Sequence, residues 1–276
     1  MHGMTTKFSP QRIASFCTGA AQQTEVRAVA ETGSTNADLL ASQASLVGPT
    51  LLIAEKQTAG RGRAGRVWHS APGASLTFSF AWRFRLPVQA LVGLPLAAGV
   101  AIAEALAEFD VPAQLKWPND VLVDRKKLAG ILIETASAVG PPHAISWAVT
   151  GIGINMALPE NIAAQIGRPV ANVSRLAQLD QDRLMATLLN NLAQAMVQFE
   201  QDGLGAFMQR WNGLHAYGGQ QVIILDNGRV LHEGRAVGID EIGRFVLETA
   251  AGPVAVMAGD VSLRALEDSL ENSRKD

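Results

Sequence analysis

Cysteine, tyrosine and net charge are all scarce in this chain. One cysteine, Cys17, stands among 276 residues, so there is no intrachain disulfide framework and no cysteine zinc site. A reducing compartment is the expectation. Tyr217 is the single tyrosine, and aromatic residues make up 5% of the chain. The formal net charge is −2, from 23 basic and 25 acidic residues, which excludes an overall basic field for gripping nucleic acid. Long apolar runs are missing too. The most apolar stretch, 91–103, carries Pro95 and two glycines and reads as too short to span a bilayer. No charged N-terminal region leads into an apolar one, so no secretory signal is visible and a cytoplasmic location is expected. With 48% apolar and 17% charged residues, the composition is that of an ordinary globular protein of one to two domains, able to bury its own core.

Hydrophobic patterning divides the chain in two. Residues 1–24 are weakly patterned. Strands are predicted at 26–30, 50–54, 75–82, 115–117, 121–123, 130–135 and 145–154, with a short helix at 37–44 and a buried one at 88–109. Leu184, Leu188, Leu192, Met196 and Phe199 recur at helical spacing. A further helix near 206–215 follows the break at Gly203. After Gly218 the pattern changes to short strands at 222–225, 229–232, 235–239, 245–248 and 254–257, with Asp226-Asn227-Gly228 as a hairpin signal. An α/β domain over 1–218 followed by a small β-barrel over 219–276 is the expected organisation.

Acids are absent from the 48 residues between Glu55 and Glu104, where even spreading of the 25 would put about four. Within that window lies Gly60-Arg61-Gly62-Arg63-Ala64-Gly65-Arg66. Glycines let backbone amides approach a ligand, and guanidinium forks match carboxylate and phosphate oxygens, so this segment should bind a small anion. Its literal G-x-G-x-x-G fails as a dinucleotide fingerprint, because a strand rather than a helix follows and no acid arrives before Glu104. It fails as a kinase loop because no H-R-D or D-F-G follows. Taken alone, the run reads preferentially as a flexible, solvated basic loop. Lys116-Trp117-Pro118-Asn119-Asp120 changes that balance. Pro118 pushes Trp117 to an extended conformation, so a strand ends there and Asn119 and Asp120 sit on a fixed turn. Downstream, Lys126 and Lys127 stand at the mouth of an apolar strand, and Lys126 reads preferentially as a surface lysine.

Together these strings resemble the biotin protein ligase family. The matching pieces are Glu31 to Asn36, Gly60 to Trp68, Lys116 to Asp120, Lys127-Leu128-Ala129-Gly130-Ile131-Leu132-Ile133-Glu134, and Gly151-Ile152-Gly153-Ile154-Asn155. They lie in family order and extend over residues 26 to about 265 when the C-terminal barrel is included. The resemblance implies an α/β (α+β) fold: a mixed-sheet catalytic domain related to class II aminoacyl-tRNA synthetases, followed by an SH3-like barrel. It implies that Ser34, Thr35 and Asn36 meet the biotin ureido group, although a helix cap at Thr35 with Asp38 explains them equally. Gln57 resembles a polar biotin contact. Arg61, Gly62 and Arg63 resemble the loop closing over biotin and its adenylate, and Lys127 the lysine between biotin carboxylate and phosphate. Arg66, Lys116 and Asn119 fall to ATP. Asn155 resembles a nucleotide-side contact or an ordinary strand-end turn, and Trp68 an adenine contact or core. Family loops often carry arginine where Ala64 stands, which puts extra phosphate contacts in doubt.

The implied chemistry has two steps. ATP and Mg2+ activate biotin to biotinyl-5′-AMP, with Arg63 and Lys127 screening the anions; a carrier lysine then displaces AMP, with Asp120 orienting or deprotonating its amine. The implied partner is a biotin carboxyl carrier domain of a biotin-dependent carboxylase, with neither DNA nor membrane, and a homodimer is left open. The alternatives are a lipoate or octanoyl ligase or transferase, a non-catalytic biotin-binding module and a DNA-binding repressor. Cys17 lies outside every motif, which argues against a cysteine-dependent transferase. The repressor reading is disfavoured because about two dozen residues precede Val26 and a winged helix-turn-helix needs roughly sixty. None of the implied ligand residues falls in the barrel, which reads as either a docking platform or a cap.

Overall fold

A computed structural model describes residues 6–137, 145–166, 169–226, 228–259 and 261–267. The first sheet has seven strands: β1 (Glu25–Thr32), β2 (Thr50–Gln57), β3 (Ser75–Phe84), β4 (Gln114–Lys116), β5 (Asp120–Val123), β6 (Lys126–Ser137) and β7 (Ser146–Asn155), in the spatial order β1-β2-β3-β7-β6-β5-β4. Only β1 and β2 pair in parallel. The helices are α1 (Pro10–Ser15), α2 (Thr35–Ser42), α3 (Leu94–Ala107), α4 (Glu160–Ile166), α5 (Ser174–Gln178), α6 (Gln181–Asp202) and α7 (Gly205–Leu214).

Strand alternation gives the sheet two unlike faces. Leu51, Ile53, Phe78, Phe80, Ile131, Ile152 and Ile154 point to one face and join the main core with α3 and α6. The other face carries Ser79, Gly130, Gly151 and Gly153, which lie opposite one another across β3, β7 and β6. There α2 covers only one end, through a small cluster of Leu39, Leu46, Leu52, Ala81, Trp147 and Val149. The rest of that face is open to the site.

Expected to be too short for a bilayer, the apolar stretch extends over 20 residues, Val88–Ala107, from a short 3-10 turn into α3, with mean hydropathy 1.9 in its most apolar window. Length and composition alone would admit a span. The core claims this surface instead, since 72% of the window is buried. The weakly patterned N-terminus folds back onto α6: Ser9 caps α1, its amide donates to Asp182 Oδ1 at 3.0 Å, and Arg12 pairs with Asp180 and Asp182. Cys17 is buried there, and burial pushes its thiol up.

The second sheet is five antiparallel strands, β8 (Gln221–Asp226), β9 (Arg229–Ile239), β10 (Phe245–Thr249), β11 (Gly252–Val256) and β12 (Val261–Ala265), ordered β11-β10-β9-β8-β12. The two strands expected at 229–232 and 235–239 are one. Gly234 reads as a break, yet it lies so close to the Glu248 backbone that a Cβ would collide with it, so the glycine lets the strand pass. Strand β12 was not legible, because it buries just Leu263 and Ala265. Asn227, of the expected hairpin turn, lies outside the described residues; Asp226 pairs with Arg229 across it. One core joins the two sheets. Trp117 packs on Phe245 with ring centroids 5.6 Å apart, and its indole N–H donates to the Gly243 carbonyl at 3.1 Å.

His215 sits in this junction, 7% exposed and stacked on Trp211 at 4.9 Å. Neither ring nitrogen has a hydrogen-bond partner among the described residues. Burial lowers its pKa from 6.5 to about 4. The folded state therefore binds fewer protons than the unfolded state between those values. Stability should be full above pH 6.5 and fall as pH drops through the window, by about 3 kcal/mol in all. Chemical unfolding of wild type and His215→Phe between pH 4 and 8 should show this decline in wild type and a shallower one in the variant. Parallel curves would refute the assignment.

Candidate active site

The open face of the first sheet is the floor of a cavity of about 670 Å³, roofed by the Gly-Arg loop and walled on one side by β12. Its floor depends on glycine. A Cβ on Gly151 would overlap the Asn36 amide, one on Gly153 would overlap the Trp68 indole, and one on Gly130 would lie 3.0 Å from Lys127 Nζ. Each glycine thus admits one side chain that the sequence pointed to.

At one end lies a neutral polar corner. Ser34 caps α2, accepting weakly from the Ala37 amide at 3.4 Å, so the cap is Ser34 rather than Thr35. Thr35, now the first helical residue, turns inward. Its amide donates to Gln57 Oε1 at 2.8 Å, and its hydroxyl lies 3.1 Å from the same oxygen and 2.6 Å from Ser79 Oγ. Ser79 donates to Asn36 Oδ1 at 2.6 Å. Asn36 donates to Glu134 Oε2 at 2.9 Å and to the Leu132 carbonyl at 3.3 Å. Ser79 and Glu134 were not legible as site residues: a lone serine inside an apolar strand has no motif, and Glu134 stood only as the end of one.

The Gly-Arg loop is ordered by its own backbone. Gly62 N–H donates to the Arg66 carbonyl at 2.7 Å, Trp68 N–H to the Gly60 carbonyl at 2.9 Å, and Arg61 bridges Val67. Ala64 takes a left-handed φ of 52°, uncommon for a residue with a Cβ. Arg61 reaches Glu134 at 3.0 Å, and Arg63 reaches Asn119 Oδ1 at 3.0 Å and the Gly259 carbonyl between β11 and β12. Arg66 is exposed at the rim.

The opposite end is cationic. The Trp117–Pro118 bond is cis, and Asp120, expected on the turn, is the first residue of β5, paired with Lys116. Asp120 forms an ion pair with Lys127, the side chains 16% and 12% exposed. Lys116 and Arg125 flank the Tyr217 ring at 6.0 and 5.9 Å, and Lys126 and Arg264 complete the lining there. Arg264, with Val261 to Leu263, brings the second sheet into the lining, although none of the residues singled out from sequence lies there.

Of the residues singled out from sequence, Ser34, Thr35, Asn36, Gln57, Arg61, Gly62, Arg63, Arg66, Trp68, Lys116, Asn119, Asp120 and Lys127 all line this cavity. Asn155 does not. It is 2% exposed, and its amide donates to the Lys127 carbonyl at 3.2 Å, so it holds the backbone behind the lysine. Trp68 lies across Gly153 and Gly130 as a wall of the cavity.

Residues 27–155 match the Biotin/lipoate A/B protein ligase family, and 217–264 match the Biotin protein ligase C terminal domain. The "Biotin--[acetyl-CoA-carboxylase] ligase" of Mycobacterium tuberculosis is 37% identical over 241 residues, covering 84% of this chain and 86% of that protein. The "Bifunctional ligase/repressor BirA" of Escherichia coli is 35% identical over 236 residues, covering 85% and 72%. A structure of biotin protein ligase from Aquifex aeolicus in complex with biotin and ATP superposes with a TM-score of 0.70 at 30% identity, covering 87% of this chain and 98% of that one.

The glycine floor makes a direct test. Gly153→Ala should push Trp68 off the sheet and cost about 1–3 kcal/mol, while Gly48→Ala, with nothing within 4 Å of its Cβ, should stay within about 0.5 kcal/mol of wild type. Urea unfolding of both variants checks this. Equal stabilities would contradict the packing of Trp68.

Proposed function

We propose, from the premise that this chain belongs to the biotin protein ligase family, that the cavity is where biotin is activated by ATP and passed to a carrier lysine. The enzyme is a biotin–[biotin carboxyl carrier protein] ligase that makes biotinyl-5′-AMP as its intermediate. The observation that carries the assignment is the neutral corner, where Thr35, Asn36 and Ser79 are 3%, 4% and 0% exposed. These side chains are already hydrogen-bonded to Gln57, Glu134 and one another, so they offer a ligand fixed leftover lone pairs in a desolvated wall, where an incoming ring that supplies hydrogen-bonding groups is favoured over one that supplies none. A cyclic urea supplies N–H and C=O groups on one ring. A dithiolane or an alkyl chain supplies neither, which disfavours lipoate and octanoate.

The rest of the cavity fits the two steps. With the biotin ring in the corner, its carboxylate runs along the floor toward Lys127 and Arg63, and the ATP phosphates occupy the cationic end with Lys116 and Arg66. Carboxylate and α-phosphate are both anions, and Lys127 and Arg63 offset their repulsion as the oxygen–phosphorus bond forms and pyrophosphate leaves. Asn119 steers Arg63 toward that position. Among the described residues no three His, Cys, Asp or Glu side chains converge as a metal cage. A magnesium ion would therefore be held mainly by the nucleotide phosphates, with Asp120 or Asp124 from the cavity lining, and would supply further charge neutralisation. In the second step the carrier amine attacks the acyl carbon and AMP leaves. Asp120 orients that amine and takes its proton. The second sheet is a working wall of the site, because Gly259 anchors Arg63 and Arg264 lines the cationic end.

Biotin-dependent exchange of pyrophosphate into ATP tests the reading. Exchange should be robust with biotin and at least about a hundredfold slower with lipoate or octanoate; the reverse preference would overturn it. Lys127→Ala should slow exchange by about one to two decades, the worth of a charge-assisted hydrogen bond in a closed site, without loss of folding. Arg63→Gly should release biotinyl-AMP faster in a chase with unlabelled biotin and ATP and label bystander lysines. Unchanged release would show that Arg63 does not retain the adenylate.

A further inference from the structure

Glu134 is a carboxylate beside a cavity that binds a carboxylate, which calls for a reason. On β6 it follows Gly130 and Leu132 on the same face as the glycine floor. Its Oε2 accepts from Asn36 Nδ2 at 2.9 Å, and Arg61 Nη2 lies 3.0 and 3.1 Å from its two oxygens. The side chain is 28% exposed.

The proton count along the corner follows from this anion. An ionised carboxylate only accepts, so the Asn36 amide must present its NH2 to Glu134 and its Oδ1 to Ser79. Ser79 has one proton, and the 2.6 Å contact to Asn36 Oδ1 uses it. The 2.6 Å contact between Ser79 and Thr35 then needs the Thr35 proton. Gln57 Oε1 accepts from the Thr35 amide at 2.8 Å and can also accept from the Thr35 hydroxyl at 3.1 Å, but the 2.6 Å contact to Ser79 is the shorter and takes that proton. Each proton points along the chain toward Glu134. The oxygens of Thr35 and Ser79 are left with lone pairs and no proton to give.

We infer that Glu134 is a specificity-determining positioning residue: its charge orders the hydrogen bonds of the corner so that Thr35 and Ser79 present acceptors, and the ring that binds there must donate N–H groups. The same carboxylate holds Arg61, so the ordering of the corner and the seating of the Gly-Arg loop share one anion. This rests on the reading of the cavity as a biotin site. Removing the charge while keeping the shape lets the amide of Asn36 and both hydroxyls reverse, and the corner loses its preference for a donor.

Titration calorimetry with biotin on the full chain tests this, alongside the KM for ATP in pyrophosphate exchange. Glu134→Gln should weaken biotin binding about tenfold or more and leave the ATP KM within about twofold. Ser79→Ala interrupts the chain without touching the charge and should give a similar loss. Because the two act through one path, the double variant should bind about as weakly as the weaker single one, not with the product of both losses. Unchanged biotin binding in either folded single variant, a multiplicative double loss, or an equal rise in the ATP KM would overturn the inference. Should Glu134→Gln fail to fold, Ser79→Ala decides alone on its biotin affinity and ATP KM. A wild-type protein that fails to bind biotin would instead overturn the functional reading itself.

Discussion

Three glycines on two neighbouring strands govern this molecule. Gly130, Gly151 and Gly153 open a bare stretch on one face of the central sheet, and the space is taken by Lys127, Asn36 and Trp68. The opposite face of the same strands is continuous apolar core against α3 and α6. A single alternating sheet thus supplies rigidity on one side and a recess on the other. Residues that approach the recess do so from elements anchored elsewhere: α2, the Gly-Arg loop, the β5–β6 turn and β12.

Polarity divides along the recess. Its inner corner is neutral, deeply buried and closed by side-chain hydrogen bonds, whereas its other end gathers Lys116, Arg125, Lys126 and Arg264. Bringing like charges together is unfavourable until an anion arrives, so the arrangement fits a ligand that is an uncharged ring at one end and polyphosphate at the other. Between them lies the part-buried Asp120–Lys127 ion pair. The two sheets depend on each other here. Arg63 of the loop reaches Gly259, and Trp117, immediately before the Pro118-Asn119-Asp120 turn, is packed on Phe245.

Much of this was legible from local signals. Alternation marked the strands of the first sheet, and helical spacing marked α6. The Gly-Arg loop and Lys116 to Asp120 stood out because their residue types are costly to keep together without a ligand. What escaped was non-local. Strand β12 buries too few apolar side chains to show a period, and the break expected near Gly234 is a close approach between strands. Ser79 is one serine among apolar neighbours. Asn155 ends a glycine-rich strand as an active-site residue would, yet it turns away to support the Lys127 backbone.

By itself the sequence determined the composition of the core, the alternation that gives the sheet two faces, and the set of charged and amide side chains available for chemistry. These are properties of residue type and spacing, and they survive without knowledge of any distant contact. Only the tertiary structure decided which charges meet. It paired Asp120 with Lys127 and Arg61 with Glu134, set Ser79 between Thr35 and Asn36, and brought Gly259, between β11 and β12, and Arg264 of β12 to the cavity. Hydrogen bonds and ion pairs act over a few ångströms, and residues separated by up to about two hundred positions come within that range only once the chain has folded.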